Sequence, residues 1–224
     1  AEYPFDGSWG YQVLGFFESE AEINASPNQA TLGGPIIPGD LKYLDYNEDG
    51  QIDERDKTPI GYSRLPEIFY SLTPEISYKG LTLSAMFQGA ANSSVFFSSN
   101  AGFEFGGAAG GGQVTEIHKN YWTPENPNAG YPALHINAQH SNKNLNSFHL
   151  KRGDYLRMRN LQISYNLPKR VTQQLKLSDL TLSLTANNLF TWSYIENFDP
   201  ETVDASGEVY PQQRIFNLGV SMNL

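Results

Sequence analysis

Residues 67–88 read EIFYSLTPEISYKGLTLSAMFQ, and their pattern decides the fold. Ile68, Tyr70, Leu72, Ile76 and Tyr78 share one parity, while Glu67, Ser71, Thr73, Glu75 and Ser77 share the other. A period of two marks a strand whose faces meet different surroundings, because successive side chains of extended backbone point to opposite sides. Lys79-Gly80 supplies a two-residue turn, after which Leu81, Leu83, Ala85 and Phe87 alternate with Thr82, Ser84, Met86 and Gln88. Pro74 lacks the N–H a ladder needs, so the first strand belongs at a sheet edge or a bulge.

Three more stretches follow the same rule. In 155–167 Leu161, Ile163, Tyr165 and Leu167 oppose Asn160, Gln162, Ser164 and Asn166; 180–190 alternates likewise; in 215–224 Phe216, Leu218, Val220, Met222 and Leu224 oppose Asn217, Gly219, Ser221 and Asn223. The connections are uneven: two residues at 79–80, about sixty at 92–153, about a dozen at 168–179 with one helical turn, and about twenty at 192–213. Residues 1–40 are rich in Gly, Pro and Asn and predict loop with one short strand over 10–17 and no helix. Short turns on one side and long loops on the other fit a membrane β-barrel. Tyr70, Tyr78, Phe87, Tyr165, Trp192 and Phe216 fall near strand ends, where an interfacial girdle stands. A β-sandwich whose apolar face is its core fits the alternation equally well.

Composition narrows the function. The 224 residues carry a net charge of −9, which argues against a nucleic-acid partner. There is no cysteine, so disulfides and thiolate chemistry are excluded. No apolar run reaches the ~20 residues of a membrane helix, which leaves barrel strands of ~10 alternating residues untouched.

The strongest ligand motif is DYNEDGQIDERD, residues 45–56, with six acidic side chains. Counting from Asp45, side-chain oxygens fall at position 1 (Asp45), 3 (Asn47), 5 (Asp49) and 9 (Asp53), a backbone carbonyl at 7 (Gln51), and Asp56 at 12, with Gly50 at 6 and apolar Ile52 at 8. That is calcium-loop spacing, since a hard cation takes six to eight oxygens and the glycine allows the sharp turn. Position 12 is Asp rather than the usual Glu, and neither flank reads as a helix, so the loop is EF-hand-like without the EF-hand fold. A solvated acidic turn is the plain alternative, and magnesium fits less well because it keeps several waters.

Other candidates are weaker. FGGAAGGGQV, residues 105–114, lacks the ending of a phosphate loop and reads as a flexible external loop. His118, His135, His140 and His149 have no metal-ligand spacing and are expected at the surface. Trp9, Phe96, Phe97, Phe103, Phe105, Tyr121, Trp122, Tyr131 and Trp192 are expected mainly to pack the loops, with sugar stacking as the alternative. Arg157 and Arg159 share the parity of the apolar face, which puts them at a headgroup interface or marks a bulge. Nothing places two carboxylates as an acid–base pair, so no catalytic residues are predicted and the chain is not expected to be an enzyme.

Taken in order, GYQVLGFFESEAEI, PGDLKYLDYNEDGQIDERDKTPIG, LTLSAMFQGA, YWTPENPNAGYPAL, YLRMRNLQISYNLP, LTLSLTANNLFTW, NFDPE and YPQQRIFNLGVSMNL resemble the C-terminal portion of the SusC-like TonB-dependent transporters of Bacteroidota. The resemblance implies an all-β fold: the C-terminal strands and long extracellular loops of an antiparallel transmembrane barrel of roughly 22 strands when complete. It makes 1–224 one part of that barrel, with extracellular loops at 18–66, 92–153 and 192–213, a periplasmic C-terminus, and the plug and N-terminal strands supplied by a further chain. It implies import of oligosaccharides or peptides with a SusD-like surface lipoprotein as lid and TonB as drive, in contact with outer-membrane lipid. The family's barrels commonly end in an aromatic residue, whereas this chain ends in Leu224. The competing expectations are a soluble calcium-binding β-sandwich or carbohydrate-binding module, and a secreted hydrolase fragment.

Overall fold

The computed structural model describes residues 7–105, 113–136, 140–195, 197–201, 209, 210 and 212–223. In chain order these form β1 (Ser8–Gly10), β2 (Val13–Phe16), α1 (Glu20–Ala25), β3 (Leu41–Tyr43), β4 (Thr58–Gly61), β5 (Ile68–Leu72), β6 (Glu75–Tyr78), β7 (Leu81–Ala91), β8 (Ser94–Phe96), α2 (Ser99–Gly102), β9 (Leu150–Arg152), β10 (Tyr155–Asn166), α3 (Lys169–Gln174), β11 (Asp179–Ser193) and β12 (Ile215–Asn223). The fold is all-β with short helical turns. The chain divides into two compact units, one of residues 1–65, 93–152 and 201–209, the other of 66–92, 153–200 and 210–224.

The second unit is an antiparallel sheet in the order β12-β11-β10-β7-β5, with β6 also on β7. All five strands expected from alternation are present. Lys79 and Gly80 form the tight turn with φ of 50° and 85°, the left-handed pair that matches the twist of a two-residue hairpin. Pro74 splits the first strand into β5 and β6 at the sheet edge, yet the register is kept, with Leu72 opposite Phe87 and Glu75 opposite Ser84. Ala85 N–H donates to the Pro74 carbonyl at 3.1 Å, so the proline removes only the rung its own nitrogen would supply.

The register aligns apolar rows across this sheet: Tyr78–Leu81–Tyr165–Leu182–Val220 and Ile76–Leu83–Ile163–Leu184–Leu218. All ten side chains lie on one side, and every one of the ten is solvent-exposed, Leu218 at 81%. The opposite face carries Ser, Thr, Asn and Gln that bond to each other, as in Ser77–Thr82 at 2.8 Å, Thr181 to Asn166 at 2.6 Å and Asn160 to Asn187 at 2.9 Å. From Leu81 to Gly89 is eight residue steps, or about 26 Å of strand. Tyr78 and Tyr165 stand at one end of that span, and Tyr70, Phe190 and Trp192 at the other. A sandwich would cover this face, whereas an apolar band of about 25 Å between aromatic rows is what a barrel turns to lipid. Among the described residues no helix is long and apolar enough to cross a membrane, which says nothing of strands.

Gly89 is needed where it stands. The Tyr70 ring and the Tyr155 carbonyl occupy the space a Cβ would take, and the Tyr70 hydroxyl donates to that carbonyl at 2.9 Å. An aromatic ring laid over a strand glycine restores the packing the missing side chain forfeits.

The first unit holds small two-stranded sheets, β1 with β4, β2 with β3 and β8 with β9. Its core is Tyr11, Leu41, Tyr43 and Ile52, against which Val13, Phe16, Leu32 and Phe148 pack. Ladders are short, so buried amide side chains satisfy the backbone instead. Gln29 donates to Leu41 O and accepts from Tyr43 N, Asn142 accepts from Leu41 N, and Asn146 donates to Asn142 O and Asn144 O while accepting from Phe148 N and His149 N. Contrary to the expectation of no helix before residue 40, α1 forms at 20–25. Ser19 Oγ accepts from Glu22 N, and the Glu22 carboxylate accepts from Glu18 N and from Lys42 Nζ, a cap strong enough for a single amphipathic turn.

Candidate functional site

The acidic loop is entered from β3 and left through a single 3-10 turn at Glu54–Asp56, so no helix pair flanks it. Ile52 is fully buried in the first unit's core and anchors the loop from below. Gly50 takes φ of 83° and Glu48 of 59°, the left-handed backbone of a tight reversal. Asp45 Oδ2 accepts from Gly50 N at 2.8 Å, Asn47 Oδ1 from Asp49 N at 3.0 Å, and Asp49 Oδ1 from Gln51 N at 3.0 Å.

Asp56 is the most committed member. It is 1% exposed; its Oδ1 accepts from Tyr46 N at 2.9 Å and Asn47 N at 3.3 Å, and its Oδ2 from Asp53 N at 2.8 Å. Arg55 supplies the opposing charge, with Nη2 at 2.7 Å from both Asp49 Oδ2 and Asp53 Oδ2, and its hydrogen bonds hold Asp53 below the ordinary carboxylate range. Asp45 Oδ1 is buried without a hydrogen-bond partner. Among the described residues no three carboxylates or imidazoles are grouped to hold a metal. Charge in this turn is therefore offset in part by Arg55, by Lys57 on Glu54 and by backbone amides. The donor set still suits a hard cation: it is all oxygen, with one buried oxygen unsatisfied and a guanidinium 65% exposed that solvent can readily take up.

The histidines correct a sequence expectation. His118, His140 and His149 are buried rather than at the surface, and His135 is nearly so. They belong to a polar network inside the first unit. Asp40, fully buried, accepts from Ile37 N, Asn142 Nδ2 and His135 Nε2. Glu104, 1% exposed, accepts from the Tyr131 hydroxyl at 2.8 Å and His135 N at 3.3 Å. His140 Nε2 lies 2.8 Å from Glu104 Oε1, at ion-pair distance but without the direction of a hydrogen bond. Burial would raise the Glu104 pKa, but His140 beside it and the Tyr131 hydroxyl outweigh burial and bring it to about 2. His149 is driven down to about 3 by burial, with Lys151 adding to the effect, and His118 is lowered by burial as well. Composition carried no signal for this, because four scattered histidines acquire a common environment only through loop packing.

Arg157 and Arg159 were placed by parity on the apolar face or at a bulge, and the bulge holds. The register slips between Met158 and Asn160 against both neighbours, so Met158 pairs with Phe87 and Phe190 while Arg157 pairs with Gln88 and Thr191 on the polar face. Arg157 Nε donates to Thr191 Oγ1 at 2.9 Å, and its Nη2 lies 2.8 Å from Asp199, both side chains under a tenth exposed. Arg159 donates to Gln88 at 2.9 Å and Gln212 at 3.1 Å. Of the loop aromatics, Phe97, Phe103, Trp122 and Tyr131 are buried, as packing required, while Trp9 and Tyr121 are exposed and Trp192 lies within β11. Of the glycine-rich run, 106–112 lie outside the described residues, as does Leu224.

No protein-family model matches the chain. It is 30% identical over 194 residues to TonB-dependent receptor P26 of Formosa agariphila, covering 86% of this chain and 19% of that protein. It is 24% identical over 227 aligned residues to TonB-dependent receptor P3 of the same organism, covering 96% and 22%. The chain thus spans about a fifth of the length of these curated relatives. In fold it is similar to the RagAB peptide importer in its open-open state, with a TM-score of 0.66 at 21% identity over 97% of this chain and 22% of that one. The closed-closed state gives 0.67 at 20% identity over 96% and 23%. Sequence relatives and fold agree with the exposed apolar sheet, and the chain belongs to the TonB-dependent receptors.

Proposed function

We propose that the chain contributes wall strands and loops to an outer-membrane importer of oligosaccharides or peptides, driven by TonB and closed by a SusD-like surface lipoprotein. The exposed apolar face of the second unit, about 26 Å between its aromatic rows, carries this reading. The edges of β5 and β12 must be paired by strands outside this chain, because unpaired backbone groups in hydrocarbon cost several kcal/mol each. The loops at 18–66, 92–153 and 192–213 then face outward and meet the lid, and the polar face with Arg157 and Arg159 lines the lumen. The test is extraction of the full receptor from membranes with and without detergent, followed by mass spectrometry of co-purifying chains. Detergent dependence with a lipoprotein partner is expected; a soluble monomer without detergent overturns the proposal.

Residues 45–56 are proposed to hold one calcium ion as a structural staple. Asp45, Asn47, Asp49 and Asp53 would supply side-chain oxygens, Gln51 its carbonyl, and Asp56 the lone pair its amide-bonded Oδ2 retains. The ion would supply positive charge at the loop's centre. Arg55 must withdraw for Asp49 and Asp53 to turn inward. The unsatisfied Asp45 oxygen supports this assignment.

A further inference from the structure

His118 and His149 are each held in the neutral form by their hydrogen bonds. Thr115 N–H donates to His118 Nδ1 at 2.9 Å, so that nitrogen is the acceptor and Nε2 carries the proton. His118 Nε2 is buried with no partner. In His149 the roles are reversed. Its Nδ1 lies 3.3 Å from Asn146 Oδ1, an oxygen that can only accept, so Nδ1 bears the proton and Nε2 is a bare lone pair, again buried without a partner.

Neither ring takes a second proton without disturbing its surroundings. Charging His118 means protonating Nδ1 and expelling the Thr115 amide, with the Thr115 hydroxyl at 3.0 Å left as the acceptor; charging His149 creates an N–H among the rings of Phe96, Phe103, Tyr131 and Phe148, with centroids 5.0 to 6.3 Å away. The charged groups facing His149 are Lys151, His140 and His118, which oppose a further charge, and Glu104, which favours it. Lys143 caps the Phe103 ring at 5.7 Å. Facing His118 are Glu104 and the edge-on Tyr131 ring at 4.5 Å. Glu104 is already engaged by Tyr131 and His140. His135 and His140 differ, since each faces a carboxylate, Asp40 or Glu104. No three of these groups are arranged to hold a metal among the described residues.

We propose that His118 and His149 form an acid-sensitive latch in the packing of residues 113–136 and 140–152: neutral they close it, and protonated they open it. The sign follows from linkage. The opened segment takes up protons near the ordinary histidine value of 6.5 while the closed one resists, so closure is complete above that value and weakens as pH falls below it. Each ring raises the opening constant by at most roughly 30-fold between pH 8 and pH 5, the limit for a ring that stays neutral in the closed form, and both together by at most ~10³-fold. Glu104 acts in the same direction only below its ordinary range near 4.5, so the window from pH 8 to 5 isolates the histidines.

The experiment is amide hydrogen exchange of the full receptor in detergent, read by mass spectrometry on peptides from 113–136 and 140–152 and corrected for the intrinsic pH dependence of exchange. The wild type is expected to open more at pH 5 by at least tenfold. His118→Gln keeps an acceptor for the Thr115 amide, and His149→Phe keeps a ring in the same space; the double variant should match wild type at pH 8 and lose the acid response. A second measurement needs no variant, because exchange at imidazole C2 reports each ring's titration directly. A wild-type change under threefold, an unchanged acid response in the double variant, or ring titration at or above 6.5 at both sites overturns the proposal.

Discussion

Replacing Asp56 by Ala separates the two roles that the acidic loop could give this residue. In the structure the carboxylate is buried and accepts three backbone amides, at 2.8, 2.9 and 3.3 Å. A hydrogen bond to a charged acceptor contributes ~1.5 to 3 kcal/mol. Taking the lower figure for the two short bonds and little for the long one gives about 3 kcal/mol for holding the turn closed without any metal. That corresponds to roughly 150-fold in the local opening constant. Asp56→Asn retains one acceptor and turns an amide N–H₂ toward a donor, so roughly half the effect is expected. The assay is amide exchange over 43–57 in excess chelator, where only the intrinsic role survives, and again in calcium. Asp56→Ala should exchange about 150-fold faster than wild type in chelator. If the two exchange within threefold of each other there, the carboxylate is not a clamp and its three amide contacts do not hold the turn closed.

Two further outcomes follow from the wall. Gly89→Val places a side chain against the Tyr155 carbonyl and the Tyr70 ring, so a loss of about 2 kcal/mol is expected in thermal unfolding of the full receptor; an unchanged midpoint would mean the ring is free to leave. Asp199→Asn leaves the buried Arg157 without its carboxylate and should cost about 3 kcal/mol, partly recovered by adding Arg157→Met. Equal stability of Asp199→Asn and wild type would show that the arginine's other contacts suffice.

The wall was legible because its strands are long and their faces meet different media, so each carries its own periodicity. Tyr78, Leu81, Tyr165, Leu182 and Val220 stand in one row simply because each alternates correctly. The bulge was legible too: apolar residues run 156, 158, then 161, 163, 165, and the step of three is the inserted residue. The Ser19-capped turn was missed because six residues among Gly, Pro and Asn show no period, and its stability rests on Lys42, twenty residues away. His118, His140 and His149 were misplaced for a related reason. Burial of a loop side chain is decided by distant partners such as Tyr131 and Asn146, which no local window contains. The spacing of the acidic loop was legible, including Ile52 as its anchor, but not the local neutralisation by Arg55, which spacing rules treat as a filler position.

The slip at Arg159 makes β10 behave like a text with one extra letter. Deleting that residue would shift the reading frame of the strand in space rather than in translation. Everything from Tyr155 to Met158 would change sides at once, turning the Arg157 guanidinium outward beside the aromatic row of Phe190 and Trp192 at no more than about 1 kcal/mol, and hiding Leu156 and Met158 among amides. Because β11 carries its own irregularity opposite, with Asn188 at φ of 53°, a length change in one strand survives only with an answering change in its neighbour. Lineages of this wall should therefore gain and lose such residues in pairs.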